Sequence, residues 1–530
     1  MKKIIILLFI TTVVASGCKK YLDVNNNPNQ PLVVTPNVVL SAALSGSGSI
    51  VSNSFLSVNR YMGYWARSGN YVGDPINESY QFNNGLTDNE WGNYYSIIHR
   101  YDYIEQQGKA QKLPFYLGVA ETMKALHYAT LVDVYGDIPY TQTFDPVKHQ
   151  QPKYDDAATI YKALLVKLDS AVANFDAAKA YYAAPTTTDA TIATDDTYDI
   201  MFGRGAGVDP ATRMDKWVQL ANTIKLKLLL TESRVISTGD RTAAIAKITA
   251  NGRGFIGAGG SALVNPGYSN STGKINPFYA VFNTTTATTS SQNFFRANQY
   301  GINFYNNTGD ERQQFFYGTP NPVAGNYDGD PNSQPNATVS SIGPGVLKAA
   351  TQDAVIMSDF ESLFMQAEAV QRGWITGSAQ ALYESGVTQS YVYLGANMFF
   401  DTPEEEAAYY LAGYQGGNGG LLTTPVLDID GKGTSADQFI VWASASDKLR
   451  LIMTQKWAAM NGINWVAAWS DFRRTGFPQT PILDISKATT HVKNQIPTRY
   501  LYPQTELNTN AANVPKLPAP AQYDLIFWDK

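Results

Sequence analysis

Cysteine is almost absent from this chain, which has Cys18 alone among 530 residues. A disulfide needs two thiols, so no disulfide can form within the chain. Histidine is also scarce, and the four histidines (His99, His127, His149 and His491) are scattered without the spacing of a metal site. The sequence therefore predicts no metal centre built on cysteine or histidine.

Charge and long hydrophobic runs are limited as well. Charged residues make up 16% of the chain, the formal net charge is -5, and no run of lysine and arginine follows the first residues. Nucleic acid is therefore an unfavourable partner. After residue 14 no apolar stretch is long enough to cross a bilayer as a helix.

The first residues, MKKIIILLFITTVVASGC, form a recognisable export signal. Two lysines precede an apolar run over residues 4–14, which is too short to span a membrane, and small residues follow. The cysteine at the expected cleavage point resembles the bacterial lipobox, in which that thiol is lipidated and becomes the mature N-terminus. We therefore predict a lipoprotein signal peptide over residues 1–17 and lipidation of Cys18.

Residues 18–36 follow as a predicted lipidated tether, because asparagine and proline dominate them and disfavour regular structure. A single acyl chain holds a protein on a membrane only marginally. The resemblance to bacterial lipoproteins implies three chains and hence a stable membrane anchor.

The remaining chain alternates between helical patterns and long irregular stretches. Apolar residues at helical spacing predict helices near 91–104, 115–134, 155–176, 214–236, 358–372, 378–394 and 446–460. Ser358 and Glu361 are spaced as a capping box at the start of one helix, and Gly373 follows its end. Helices joined by short turns suggest stacked hairpins. Loops are predicted over 183–212, 255–345 and 401–440, and loops of this length are often functional.

Four segments in order resemble motifs of the SusD/RagB-like outer-membrane lipoproteins of the Bacteroidetes, with the spacing of the second SusD-like branch. They are residues 131–140 (LVDVYGDIPY), 361–373 (ESLFMQAEAVQRG), 469–478 (WSDFRRTGFP) and 496–508 (IPTRYLYPQTELN). Together with the lipobox they span the mature chain. We expect the arginines Arg473 and Arg474 to be structural, because guanidinium groups satisfy several carbonyl or carboxylate oxygens at once.

The resemblance implies a mainly α fold in which tetratricopeptide-like helix pairs form a scaffold and long irregular loops build the ligand site. It implies one SusD-like ligand-binding domain over residues 37–530, with no catalysis and no cofactor. The implied function is capture of oligosaccharides at the outer membrane, on the cell exterior, and their delivery to a SusC-like TonB-dependent outer-membrane transporter.

Aromatic residues are abundant, with 33 Tyr and 9 Trp, and suit either a large core or a site for neutral polar ligands. A sugar site needs exposed aromatic faces beside amide or guanidinium groups. Such residues are densest in segment 61–82, although part of it has helical spacing and could be core. We predict ligand contacts from Trp65, Arg67, Asn70, Tyr71 and Tyr80. A second candidate stretch contains Tyr268, Tyr279, Asn298, Tyr300 and Tyr305.

Two other functions remain open from sequence. RagB-like relatives suggest peptides as an alternative cargo of the same uptake machinery. A surface glycoside hydrolase would need two carboxylates about 5–10 Å apart across a cleft. Residues 428–433 (DIDGKG) have two carboxylates and a glycine turn, as in some calcium loops, but lack the later bidentate glutamate of an EF-hand.

Overall fold

The computed structural model describes residues 34–183, 195–204, 208–283, 291–319, 324–413, 435–479 and 482–529. The predicted signal peptide, Cys18, nearly all of the tether and the candidate calcium loop at 428–433 lie outside these ranges. Within them helices dominate and strands are short, so the predicted mainly α fold is confirmed.

The longer helices form the scaffold and are numbered here in chain order. They are α1 (Pro36–Asn53), α2 (Asp88–Gln111), α3 (Pro114–Tyr135), α4 (Ala157–Ala183), α5 (Pro210–Thr231), α6 (Thr238–Asn251), α7 (Gln299–Thr308), α8 (Asp359–Gln371), α9 (Ala379–Leu394), α10 (Pro403–Leu411), α11 (Lys448–Ala459) and α12 (Trp465–Thr475). Every helix predicted from apolar spacing is present, with boundaries shifted by a few residues.

Short elements lie between these helices. Short α-helices span Val58–Tyr61, Pro75–Glu78, Asp195–Tyr198, Pro277–Phe282, Ser291–Phe294, Gln313–Phe316, Ile482–Ile485 and Gln504–Thr509, and 3-10 turns span Ala436–Phe439, Ala521–Tyr523 and Phe527–Asp529. The strands are β1 (Trp65–Arg67), β2 (Ile138–Pro139), β3 (Tyr154–Asp155), β4 (Ala262–Val264), β5 (Phe295–Ala297) and β6 (Ala354–Met357). Segment 255–345 therefore contains short helices and strands, which corrects its prediction as a loop.

Neighbouring helices pair through tight turns. Between α2 and α3 the chain turns at Lys112, which has a left-handed backbone with φ of 57°, and Pro114 then opens α3. At the start of α8 the Ser358 hydroxyl accepts a hydrogen bond from the Glu361 N–H at 3.2 Å. The Glu361 carboxylate instead faces Lys227 and Asn464, so only half of the predicted capping box forms.

Helix α3 is buried on nearly all sides because it packs between α2 and α4. Gly118 allows this close approach, since a Cβ atom there would lie 2.7 Å from the ring of Phe175 on α4. Helix α1 also packs closely against α2, where a Cβ at Gly46 would lie 2.3 Å from Ile97. Helix α1 was not among the predicted helices, because its small residues give no clear apolar stripe.

All four ordered motifs meet in the folded chain, since Arg474 pairs with Glu368 of the second motif at 2.5 Å. Arg473 donates hydrogen bonds to the carbonyl oxygens of Asp133 and Thr498, both at 2.7 Å. Arg499 donates to the carbonyl of Tyr135 at the end of α3, where the Tyr500 N–H also pairs with the Val134 carbonyl at 3.0 Å. The motif arginines thus join the end of α3, helix α12 and the C-terminal segment.

The strands form three antiparallel pairs, β1 with β5, β2 with β3, and β4 with β6. Among the described helices, none combines the length and the hydropathy that a membrane crossing requires.

Candidate functional site

The structure brings the two candidate aromatic stretches together. Strand β1 pairs with β5, with Trp65 opposite Ala297 and Arg67 opposite Phe295. Asn298 reinforces the pairing, because its side-chain amide donates to the Trp65 carbonyl at 3.2 Å. Three segments lie side by side here: residues 68–72 after β1, residues 293–294 at the end of the short helix before β5, and residues 333–336, where the Gln334 carbonyl accepts a hydrogen bond from the Gly69 N–H at 2.9 Å. They are called here the β1–β5 loop surface.

Trp65 and Tyr80 do not lie on this surface. Each side chain is 1% exposed. The indole of Trp65 contacts the rings of Phe282 and Trp465 at centroid distances of 5.3 and 6.1 Å, and Tyr80 packs edge-on against Tyr61 at 5.4 Å. The prediction that both rings contact a ligand does not fit this geometry, because other aromatic side chains enclose them.

Arg67 is also buried, but it holds the loop surface from beneath. Its guanidinium pairs with Glu78 and donates hydrogen bonds to the carbonyl oxygens of Tyr71 and Ser68. These contacts close the turn from 68 to 71 on itself. We therefore assign Arg67 to positioning this turn and not to direct ligand contact.

Asn70 and Tyr71 are the two predicted residues that reach the surface. Asn70 is exposed, and its side-chain oxygen accepts a hydrogen bond from the Asn336 N–H at 2.8 Å. Tyr71 is half-buried, with its ring edge-on to Phe294 at 5.3 Å. The adjacent Val72 is 91% exposed. The surface thus offers aromatic and amide groups held by backbone hydrogen bonds.

A buried arginine fixes the layer below. The Arg60 guanidinium lies 2.7 Å from Asp328 and 2.6 Å from Asp74, and its carbon atom lies 5.4 Å from the centre of the Phe294 ring. Burial alone would raise the pKa of Asp74, but the charge and hydrogen bond of Arg60 outweigh it and lower that pKa. The Asp74 carboxylate therefore stays charged and keeps its ion pair with Arg60. The guanidinium of Arg60 in turn supports the Phe294 ring.

Most residues of the second candidate stretch are also structural. Asn298, Tyr300 and Tyr305 are buried, and the Tyr305 hydroxyl donates to the Ala458 carbonyl at 2.8 Å. Tyr268 and Tyr279 are half-buried. The buried members support β5 and α7 from within.

Sequence reasoning missed Phe294 and Asn336 as members of the surface. Both lie inside segment 255–345, which its length had marked as functional, but no local pattern places them beside Asn70 and Tyr71. Their position depends on the pairing of β1 with β5. In the described ranges no three histidine, cysteine, aspartate or glutamate residues cluster as metal ligands.

Comparison with known proteins identifies the family. The family model SusD-like_2, described as "Starch-binding associating with outer membrane", matches residues 28–503. No curated protein matches the chain.

Solved structures agree on the fold. A chitin-binding SusD homolog from Flavobacterium johnsoniae superposes with a TM-score of 0.70 at 20% identity, covering 93% of this chain and 98% of that one. A SusD homolog from Bacteroides uniformis gives 0.68 at 20% identity, covering 93% and 99%. A SusD-like protein from Bacteroides thetaiotaomicron gives 0.64 at 22% identity, covering 92% and 98%. With the family model matching most of its length, the chain belongs to the SusD-like family.

Proposed function

We propose that this protein captures oligosaccharides at the outer membrane, without catalysis, and delivers them to a SusC-like TonB-dependent transporter. The observation that carries the proposal is its membership of a family described as starch-binding and associated with the outer membrane. A chitin-binding relative with the same fold adds support for a glycan as the cargo.

The β1–β5 loop surface has the chemistry that a sugar requires. Sugars present apolar C–H faces and a rim of hydroxyl groups, which pair with aromatic rings and with amide groups respectively. Tyr71 and Phe294 supply the rings, and Asn70 supplies a side-chain amide that the backbone N–H of Asn336 holds in place. Because Arg67 and Arg60 already hold this layer in place, binding needs little ordering of the loops.

Carboxylates near this surface support binding over hydrolysis. A glycoside hydrolase needs an acid with a raised pKa opposite a second carboxylate. Asp74 has a lowered pKa because Arg60 outweighs the effect of burial, and Glu78 is bound by Arg67. Asp74 is therefore not prepared to donate a proton to a leaving sugar. Burial raises the pKa of Asp328, but this carboxylate is enclosed beneath Arg60 and does not face a ligand on the surface.

The proposed location rests on the N-terminal residues together with the family, which is described as associating with the outer membrane. Lipidation of Cys18 would hold the protein on the outer membrane, facing the exterior, with the tether over residues 18–36 leading to the folded domain. Oligosaccharide released from the loop surface would then enter the transporter beside it.

Calorimetric titration of the mature protein tests the cargo. We expect one class among chito-oligosaccharides, malto-oligosaccharides and mixed oligopeptides to bind, and we expect that class to be a glycan. Tyr71→Ala and Asn70→Ala should each weaken binding about tenfold, since each removes a surface contact. Tyr181→Ala, which removes a half-buried ring near the end of α4, is the matched control and should leave the affinity for the ligand unchanged.

If only peptides bind, the cargo is a peptide and the glycan proposal is wrong. Sugar release by the rigorously purified protein would contradict the non-enzymatic role. Failure of a TonB-dependent barrel to co-purify with the protein from native membranes would contradict the transporter partnership.

A further inference from the structure

A separate cleft of about 600 Å³ lies between helices α4, α5 and α6, none of which contributes to the β1–β5 loop surface. Its volume is within the range of small-molecule sites in proteins. The walls are largely apolar and include Leu165 on α4, Ile236 after α5, Ala244 on α6 and Phe527 near the C-terminus. Such walls suit an aliphatic ligand.

One polar group in this wall has no matching donor. Glu232 follows the last residue of α5 and is 5% exposed. In the described part of the chain, its Oε1 atom is buried without a hydrogen-bond partner. A buried carboxylate without a partner is costly, so the site gains when a donor arrives.

The charged groups around the cleft do not relieve Glu232. Lys225 and Lys247 both pair with Asp169. Burial raises the pKa of Glu232 to about 7, against the attraction of Lys162 and with the repulsion of Asp240. The carboxylate end of the cleft thus has two acidic groups and one lysine.

The geometry points to this cleft as a binding site for a primary alkylammonium group on an unbranched aliphatic stem. The ammonium group donates a hydrogen bond to the Glu232 carboxylate, and the stem lies against Leu165, Ile236 and Ala244. An ammonium group supplies the missing donor and charge together, while methylene groups match the apolar walls. The ligand is either a free amine or the lysyl side chain of a short peptide. This site is independent of oligosaccharide capture.

Calorimetry of the mature protein with n-hexylamine hydrochloride tests the site, with n-hexanol as the uncharged counterpart. We expect the amine to bind at least about tenfold more tightly than the alcohol, because only the amine pairs with a carboxylate. Glu232→Gln keeps the side-chain shape and removes the charge, so it should weaken amine binding about tenfold. Ala243→Phe narrows the cleft and should weaken amine and alcohol alike.

Glu404→Gln, an exposed change at the start of α10, is the matched control and should leave amine binding unchanged. Circular dichroism of each variant confirms that it folds. A Gly-Lys-Gly amide in parallel separates the sources, since its binding identifies a lysyl side chain and binding of hexylamine alone identifies a free amine.

Three results would overturn the proposal. They are no binding of hexylamine to the wild-type protein, equal binding to wild type and Glu232→Gln, and binding that appears only in a Lys162→Met variant. The last would show that Lys162 itself occupies the carboxylate.

Discussion

At the residue scale, buried arginines hold the β1–β5 loop surface in place. Arg67 closes the turn that carries Asn70 and Tyr71, and Arg60 joins three carboxylates beneath the same surface. A guanidinium group has five donors in a rigid plane, so one side chain can fix several loop segments together. The proposed binding surface therefore depends on residues that lie beneath it.

Replacing Arg67 with lysine tests this dependence. Lysine keeps the charge but cannot reach Glu78 and two carbonyl oxygens together. We therefore expect the free energy of unfolding to fall by about 1–3 kcal/mol. Hydrogen exchange at the Tyr71 N–H, which bonds to the Ser68 carbonyl, should become faster. Urea unfolding and exchange mass spectrometry measure the two effects. Unchanged exchange would contradict the positioning role, and Arg100→Lys at an exposed site is the control.

His127 makes stability depend on pH. Its Nε2 lies 2.8 Å from the Ser47 hydroxyl, and burial lowers its pKa to about 3. The unfolded chain takes up a proton below about pH 6.5 and the folded chain does not, so His127 lowers stability as pH falls from there towards 3. Between pH 6.5 and 5 the wild type should lose about 2 kcal/mol more than His127→Gln, as measured by urea unfolding at each pH. Equal losses would mean that the folded protein accommodates the charged ring.

Trp65 and Tyr71 illustrate what the sequence could predict at this scale. Both are aromatic residues in one segment beside polar neighbours. The first fills the interior and the second reaches the surface, because the partner strand β5 arrives from residues 295–297. Composition indicated a segment rich in aromatic residues, and only the distant pairing decided which of its rings face outward.

At the scale of elements, helices with a large apolar stripe were predictable from sequence. Helices that depend on close approach of their backbone to neighbouring elements were not. Helix α4 has its stripe at helical spacing and is present as expected. Helix α1 contains Gly46 and Gly48, which weaken a helix on their own. It forms because those glycines bring its backbone close to α2 and β6, where a Cβ at Gly48 would lie 2.9 Å from Ala354.

Arg312 joins three elements and offers a test of their coupling. It pairs with Asp310 at 2.5 Å and donates to Ser390 on α9 and Gln455 on α11 at 3.1 and 2.7 Å. Arg312→Met leaves Asp310 charged and buried, so we expect a loss of about 3–5 kcal/mol in the free energy of unfolding.

A double variant that also changes Asp310 is the control for the loss of stability in Arg312→Met. Asp310→Asn together with Arg312→Met removes both charges and should recover part of the stability. Arg204→Met, at a partly exposed pair with Asp353, should cost less than about 1 kcal/mol. Similar losses for Arg312→Met and Arg204→Met would show that burial of the pair adds nothing.

At the scale of the whole molecule, four ordered motifs were enough to indicate the family and hence the fold. The motifs indicate the fold because their residues contact one another. Arg473 and Arg499 donate hydrogen bonds to carbonyl oxygens at the end of α3 and so join the C-terminal motifs to the helical scaffold. The β1–β5 loop surface has no such signature, because its residues come from segments more than two hundred positions apart. The sequence therefore predicted the scaffold better than the site.

Location is also a property of the whole molecule. We expect Cys18→Ser to release the protein from the membrane fraction, because the thiol that would accept the lipid is lost. Fractionation of cells followed by mass spectrometry of the N-terminal peptide measures this change. Retention of the serine variant on the membrane would place the anchor elsewhere, and Ser41→Ala within α1 is the control.

The pairing of β1 with β5 has a consequence for the order of folding. Helix pairs form between neighbours in the chain, whereas Arg60 must find Asp328 across 268 positions. Closing so long a loop is entropically costly, and distant contacts form slowly. During refolding, helical content should therefore recover before ligand binding does. Formation of the β1–β5 loop surface then becomes a report that assembly is complete, and a chain arrested midway would be helical yet would lack the surface that we propose for capture.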